Sequence, residues 1–200
     1  MPLWLQRLPS DVRRRLDLAE AAAIVAREET HAQQALNLVA VMAPRMPFDE
    51  AIERYIEIMS LGRDEAESVH NRALVALSDP DTGANLARER HRPGWGLNWR
   101  YVTPLGAVRF VQRKMRRNAE EDLWMELSAA RAEEGLVRTH IQHAMIFAEI
   151  LDEHVPAPRS VSVYIDRLEV PTTRARAVYQ RVLARLADME LPRLPSRYSR

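Results

Sequence analysis

Apolar residues recur at intervals of three and four along most of this chain, which is the signature of helices that bury one face. Leu18, Ala21, Val25, Ala32, Ala35, Val39 and Met42 form one such stripe. Leu123, Leu127, Ala130, Val137, Ile141, Ala144, Ala148 and Leu151 form a second. Shorter helices are expected over 48–60, 63–78, 104–118, 159–169 and 172–187. The helical pattern fails between 83 and 106, where four of the six glycines fall (Gly83, Gly94, Gly96 and Gly106) and where Pro93 and Pro104 join them, just after Pro80. Glycine and proline at that density interrupt regular helix.

The two helical stretches are related to each other. Residues 18–79 laid over 127–188, with a constant shift of 109 and no gap, share 16 of 62 positions. The identities include Thr30, His31, Gln33 and Ala35 with Thr139, His140, Gln142 and Ala144, then Pro47 with Pro156 and Tyr55-Ile56 with Tyr164-Ile165. They continue with Ala66, Val69, Arg72, Leu74, Leu77 and Asp79 against Ala175, Val178, Arg181, Leu183, Leu186 and Asp188. Shared apolar positions keep helical phase, so the two copies should bury equivalent faces.

Composition narrows the picture without changing it. An apolar fraction of 46% and a charged fraction of 28% suit a water-soluble globular protein of mainly α class. No run of about 18 apolar residues is present to cross a bilayer, and no export leader is recognisable, so a cytoplasmic location is expected. The absence of cysteine excludes disulfides, thiolate metal sites and a cysteine nucleophile.

Charge is distributed unevenly. Residues 88–117 carry nine basic side chains against Glu89 alone, whereas 120–153 carry nine acids against Arg131 and Arg138. Such an asymmetry suits a polyanion-binding surface beside a solvated or partner-facing helix; intramolecular pairing is the competing reading.

In each copy the last two helices are separated by a short turn, Ser60-Leu61-Gly62 or Glu169-Val170-Pro171. The pattern Tyr164-Ile165, Leu168, Val170, Ala175, Val178, with Tyr55-Ile56, Met59, Leu61, Ala66 and Val69 at the same spacings, resembles a helix-turn-helix. After the first of these, the segment from Arg92 through Trp95, Trp99 and Tyr101 to Thr103, Pro104 and Gly106 resembles the wing and closing-helix entry of winged-helix regulators. Only twelve residues follow Asp188, too few for a comparable wing in the second copy. The resemblance implies two tandem helix-turn-helix-bearing, winged-helix-like units, 1–118 and 119–200, with a small β-hairpin around 88–103. Cyclin-like helical repeats are the alternative fold.

Catalytic signatures are absent. There is no glycine-rich phosphate loop, no Gly-x-Ser-x-Gly and no His-Glu-x-x-His, so neither enzymatic activity nor a cofactor is expected. Glu28-x-x-His31 and Glu67-x-x-His70 have the spacing of di-iron helix bundles. Their counterparts in the other copy, Val137 and His140, Arg176 and Tyr179, keep only the His31 position. That retention reads as a shared packing or hydrogen-bonding feature, and no metal site is expected. Trp95, Trp99 and Tyr101 lie among arginines and suit either base stacking or anchoring of the hairpin.

The two candidate recognition helices differ in sign. Residues 63–79 carry Asp64, Glu65, Glu67 and Asp79 against Arg63 and Arg72, whereas 172–188 carry Arg174, Arg176, Arg181 and Arg185 against Asp188. A basic helix gains counterion release on phosphate and an acidic one is repelled. The expectation is therefore a sequence-specific binder of double-stranded DNA, a transcriptional regulator or a replication initiator. Its reading residues would be Thr172, Thr173, Arg174, Arg176, Ala177 and Gln180, with backbone contacts from Arg88, Arg90, Arg92, Arg100, Arg113 and Lys114. The alternative is a tandem winged-helix module that holds other proteins, through the acidic 120–153 helix or the first helix-turn-helix.

Overall fold

The structure is a computed structural model that describes residues 4–43, 45–79 and 104–190, with backbone alone for 104–118, 120 and 190. A single 3-10 turn, Leu5–Arg7, precedes α1 (Ser10–Met42), α2 (Phe48–Met59) and α3 (Arg63–Ser78). Then come α4 (Pro104–Leu151), α5 (Ala157–Arg167) and α6 (Thr172–Glu190). No strand occurs among the described residues. The hairpin expected around 88–103 lies outside them.

The expected closing helix 104–118 is not a separate element: it is the beginning of α4, which runs unbroken for 48 residues. The sequence explains this, because no proline or glycine stands between Ala107 and Glu134 and strong helix formers fill the stretch. Asn118, the site expected to end the first unit, is an ordinary interior residue of that helix. The compact units accordingly divide elsewhere. One, here the split unit, joins Met1–Arg27 to Glu134–Arg200; the other, the inner unit, is Glu28–Glu133.

Each unit therefore combines one copy of the repeat with a segment that precedes the other copy in sequence. In the split unit Val12, Leu16, Ala19 and Ala23 of α1 share a core with Val137, Ile141, Ala144, Phe147 and Leu151 of α4, with Val161 and Tyr164 of α5 and with Val178 and Val182 of α6. In the inner unit Ala132 of α4 joins Ala35, Leu38, Val39 and Met42 of α1, Ala51, Ile52 and Tyr55 of α2, and Val69 and Ala73 of α3.

This exchange corrects the expected apolar stripes. Leu18 and Val25 are 63% and 43% exposed, whereas Leu16 and Ala23 are 0% and 2% exposed. Leu123 and Leu127 likewise stay exposed, while Ala132 and Leu136 are buried. A long helix that serves one core at one end and another core at the other changes its buried face along its length, so a single stripe cannot describe it.

Within each copy the turns repeat in detail. Pro47 and Pro156 lead into α2 and α5. Met46 N–H donates to Met42 C=O at 3.0 Å, and Val155 N–H to Leu151 C=O at 2.9 Å. At the other end of the short helix, Ser60 and Glu169 hold φ of 51° and 48°. Leu61 N–H then reaches Ile56 C=O at 3.2 Å, and Val170 N–H reaches Ile165 C=O at 3.0 Å, the six-to-one bond of a left-handed helix terminus. Gly62, the glycine of the first turn, has an ordinary φ of −63°. The left-handed position is thus filled by serine and glutamate, where an L side chain is strained.

Candidate functional site

Two features recur in both copies and then diverge: a buried histidine and tyrosine, and the outer face of the third helix. His31 Nδ1 and Tyr55 Oη share a hydrogen bond of 2.8 Å, and His140 Nδ1 and Tyr164 Oη share one of the same length. Both pairs meet edge to face with ring centroids 6.0 Å apart. The histidines are 1% and 2% exposed, and both tyrosines are buried in the cores. Each pair ties the long helix of its copy to the short helix that follows. This gives the shared histidine the hydrogen-bonding role that its retention implied.

The surroundings of the two imidazoles have opposite charge. His31 Nε2 stands 3.6 Å from a Glu65 carboxylate oxygen. The counterpart of Glu65 in the other copy is Arg174. His140 is held down to a pKa of about 4, chiefly by burial and then by the Arg174 and Arg27 guanidiniums and by His143. Burial also lowers His143, and it pushes the Tyr164 hydroxyl well above the ordinary tyrosine value. His140 is therefore neutral at pH 7, and its Nε2 is buried without a hydrogen-bond partner. Nothing in composition or periodicity singled out Tyr55, Tyr164, Glu65 or Arg174 for this role. One signal was present: histidine and tyrosine stand 24 residues apart in both copies.

The Glu-x-x-His pairs are not assembled as ligands. Glu28 accepts hydrogen bonds from Ser68 Oγ at 2.8 Å and from Arg72 at 2.9 Å, His31 is committed to Tyr55, and Glu67 is exposed. Among the described residues no group of three or more ligating side chains converges.

The third helices, α3 and α6, present the same positions outward. Thr172, Thr173, Arg176 and Gln180 are exposed on α6, as are Arg63, Asp64, Glu67 and Asn71 at the matching places on α3. Ala175 and Ala177 are half-buried against the core, and Val178 is fully buried. Arg174 is half-buried beside His140, so it faces the core side of α6 more than the exposed one. Arg181 pairs with Glu134 at 3.0 Å, whereas Arg176 and Arg185 are exposed and form no ion pair among the described residues. Arg113 and Lys114 lie on α4, and Arg88, Arg90, Arg92 and Arg100 lie outside the described residues, as do Trp95, Trp99 and Tyr101. No helix among the described residues is long and apolar enough to cross a membrane. Comparison with protein-family profiles, characterised proteins and solved structures finds no match to the chain.

Proposed function

We propose that the chain is a sequence-specific binder of double-stranded DNA, a transcriptional regulator or a replication initiator, and that α6 is its reading helix. The observation that carries this reading is the exposed face Thr172, Thr173, Arg176 and Gln180 at the start of a helix that contains no carboxylate before Asp188. Three physical arguments support it. The first turn of a helix offers unpaired N–H groups and the positive end of its dipole to phosphate, and two threonine hydroxyls stand there. Arginine and glutamine one turn further on have the fork geometries that match guanine and adenine edges in the major groove. The preceding short helix and tight turn, with Ala175 packed against the core, suit a helix-turn-helix arrangement, which carries such a face into the groove.

In this reading the chain holds two tandem helix-turn-helix units that have parted in role, with the basic segment 88–103 acting as a wing-like backbone contact. Arg176 pairs with guanine, Gln180 with adenine, and Arg88, Arg90, Arg92 and Arg100 contribute non-specific affinity. Selection of duplexes from a random pool, followed by a salt titration on the selected site, tests it. A defined motif is expected, together with a slope that flattens by about 0.9 for each phosphate contact removed. Failure to enrich any motif would leave α6 as a solvated face.

A further inference from the structure

The exchange of segments between the two copies gives each unit an equivalent groove, bounded by the end of one long helix, the short helix after it and a stretch of the other long helix. In the split unit this groove is filled from within. Leu5 and Leu8 are buried in its core together with Leu16, Leu151 and Val163, and Trp4 packs on the same cluster. The Arg159 guanidinium stacks 4.5 Å from the Trp4 ring. The segment folds back there because Pro9 separates it from α1.

In the inner unit the corresponding residues, 113–117, are part of the uninterrupted α4 and cannot fold back. Among the described residues the equivalent groove there is a cavity of about 510 Å³. Its apolar lining residues are Met42, which is buried, and Met46 and Met125. Its rim is acidic. Glu50 replaces Arg159 of the other copy, and Glu53 and Asp122 add two more exposed carboxylates. Two further acids on the rim are paired with arginines, Glu57 with Arg54 at 2.8 Å and Glu121 with Arg45 at 3.9 Å.

We infer that this groove of the inner unit is a docking site for a segment of a partner protein that carries bulky apolar anchors between basic side chains. The repeat itself shows what the seat accommodates, since the split unit fills the same place with a short tryptophan- and leucine-bearing segment. The acidic rim sets the charge of the occupant. Arginine or lysine beside the anchors meets Glu50, Glu53 and Asp122, whereas an acidic segment is repelled. The methionines suit an occupant whose detailed shape is not fixed in advance, because the unbranched thioether repacks around different anchors. In that case this groove of the inner unit holds a protein while α6 of the split unit reads DNA, and groove binding can be tested without DNA.

The test uses the full chain and a fluorescein-labelled peptide of sequence Arg-Trp-Leu-Arg-Arg-Leu-Arg, read by fluorescence anisotropy at low salt. Saturable binding is expected. It should weaken at least about tenfold in the exposed-rim variant Glu50→Lys/Glu53→Lys, as expected when a complementary charge pattern is inverted. A second peptide, with alanine in place of tryptophan and both leucines but every arginine kept, should bind at least about tenfold more weakly, because the apolar anchors carry the affinity. A helical circular dichroism spectrum and an unchanged urea unfolding midpoint establish that the variant is folded. Three results would overturn the proposal: no binding by the intact chain, equal binding by the alanine peptide, or an affinity that the rim variant leaves unchanged.

Discussion

The two copies of the repeat use one backbone design for two electrostatic settings. His31 and His140 hold their tyrosines at the same 2.8 Å, and Ser60 and Glu169 turn the chain with nearly the same left-handed φ. What differs is the charge placed on that frame. Glu65 stands beside His31 where Arg174 stands near His140, and Asp64 and Glu67 face outward on α3 where Thr173 and Arg176 face outward on α6. Duplication has kept the residues that tie helices together and released those on the third helix. The outer face of a helix can reverse its sign at little cost to stability, whereas the buried hydrogen bond cannot be given up cheaply.

The largest expected effect appears in acid, at His140 of the second copy. An unfolded histidine keeps its ordinary value of 6.5, whereas folded His140 is held at about 4. The folded state therefore resists a proton that the unfolded state accepts. The stability carried by neutral His140 is present in full above pH 6.5 and is lost as the pH falls from 6.5 towards 4. At about 1.4 kcal/mol per unit, the loss is on the order of 3 kcal/mol. Urea unfolding across this range should show it, and the His140 ring resonances should titrate near 4 by NMR. Titration of His140 at an ordinary histidine value would break the comparison.

Removing the hydroxyls sharpens it next. Tyr164→Phe and Tyr55→Phe each strand a buried imidazole nitrogen and should cost about 1–3 kcal/mol. The loss should be greater for Tyr164→Phe, because His140 Nε2 already lacks a partner whereas His31 Nε2 faces Glu65. Denaturant midpoints of the two variants measured side by side give the ranking. Arg174→Glu places in the split unit the residue found in the inner one and should move the His140 titration upward. A downward shift or none would show that Arg174 does not act on the imidazole. The smallest effects belong to the turns. Glu169→Gly and Ser60→Gly remove the side chain from a left-handed position and should each stabilise the chain by about 0.5–1 kcal/mol.

Several of these features were legible in the sequence. The shift of 109 located both copies, and the bounds of α2, α3 and α6 followed from apolar spacing to within a few residues. Of the set expected to face outward from helical phase, Thr172, Thr173, Arg176 and Gln180 do so, whereas Ala177 is half-buried against the core. The exchange between units was not legible. Leu18 and Leu16 are equally apolar, and only tertiary contacts decide which of them meets a core. The winged-helix resemblance placed a boundary at 118, after a closing helix, yet nothing in the stretch stops a helix built from good formers, and α4 passes through it. The turn Ser60-Leu61-Gly62 was located, but not that its left-handed residue is Ser60 rather than the glycine. Glu65 on α3 and Arg174 on α6 come to the two histidines from another helix, which spacing along the long helices alone does not reveal.

The central functional claim is that the third helix of the second copy reads DNA and that of the first does not. Arg176 and Glu67 occupy matching exposed positions, which makes each the control for the other. The deciding measurement is fluorescence anisotropy on the duplex selected by the intact chain, with Arg176→Ala and Glu67→Ala titrated beside it and every single-base variant of the site tested. Arg176→Ala should lose about 1–3 kcal/mol and relax the preference at one base pair, while Glu67→Ala binds like the unaltered chain. If Arg176→Ala keeps both its affinity and its base preference in a protein that still folds, α6 is not the reading helix and the account of the split unit is wrong.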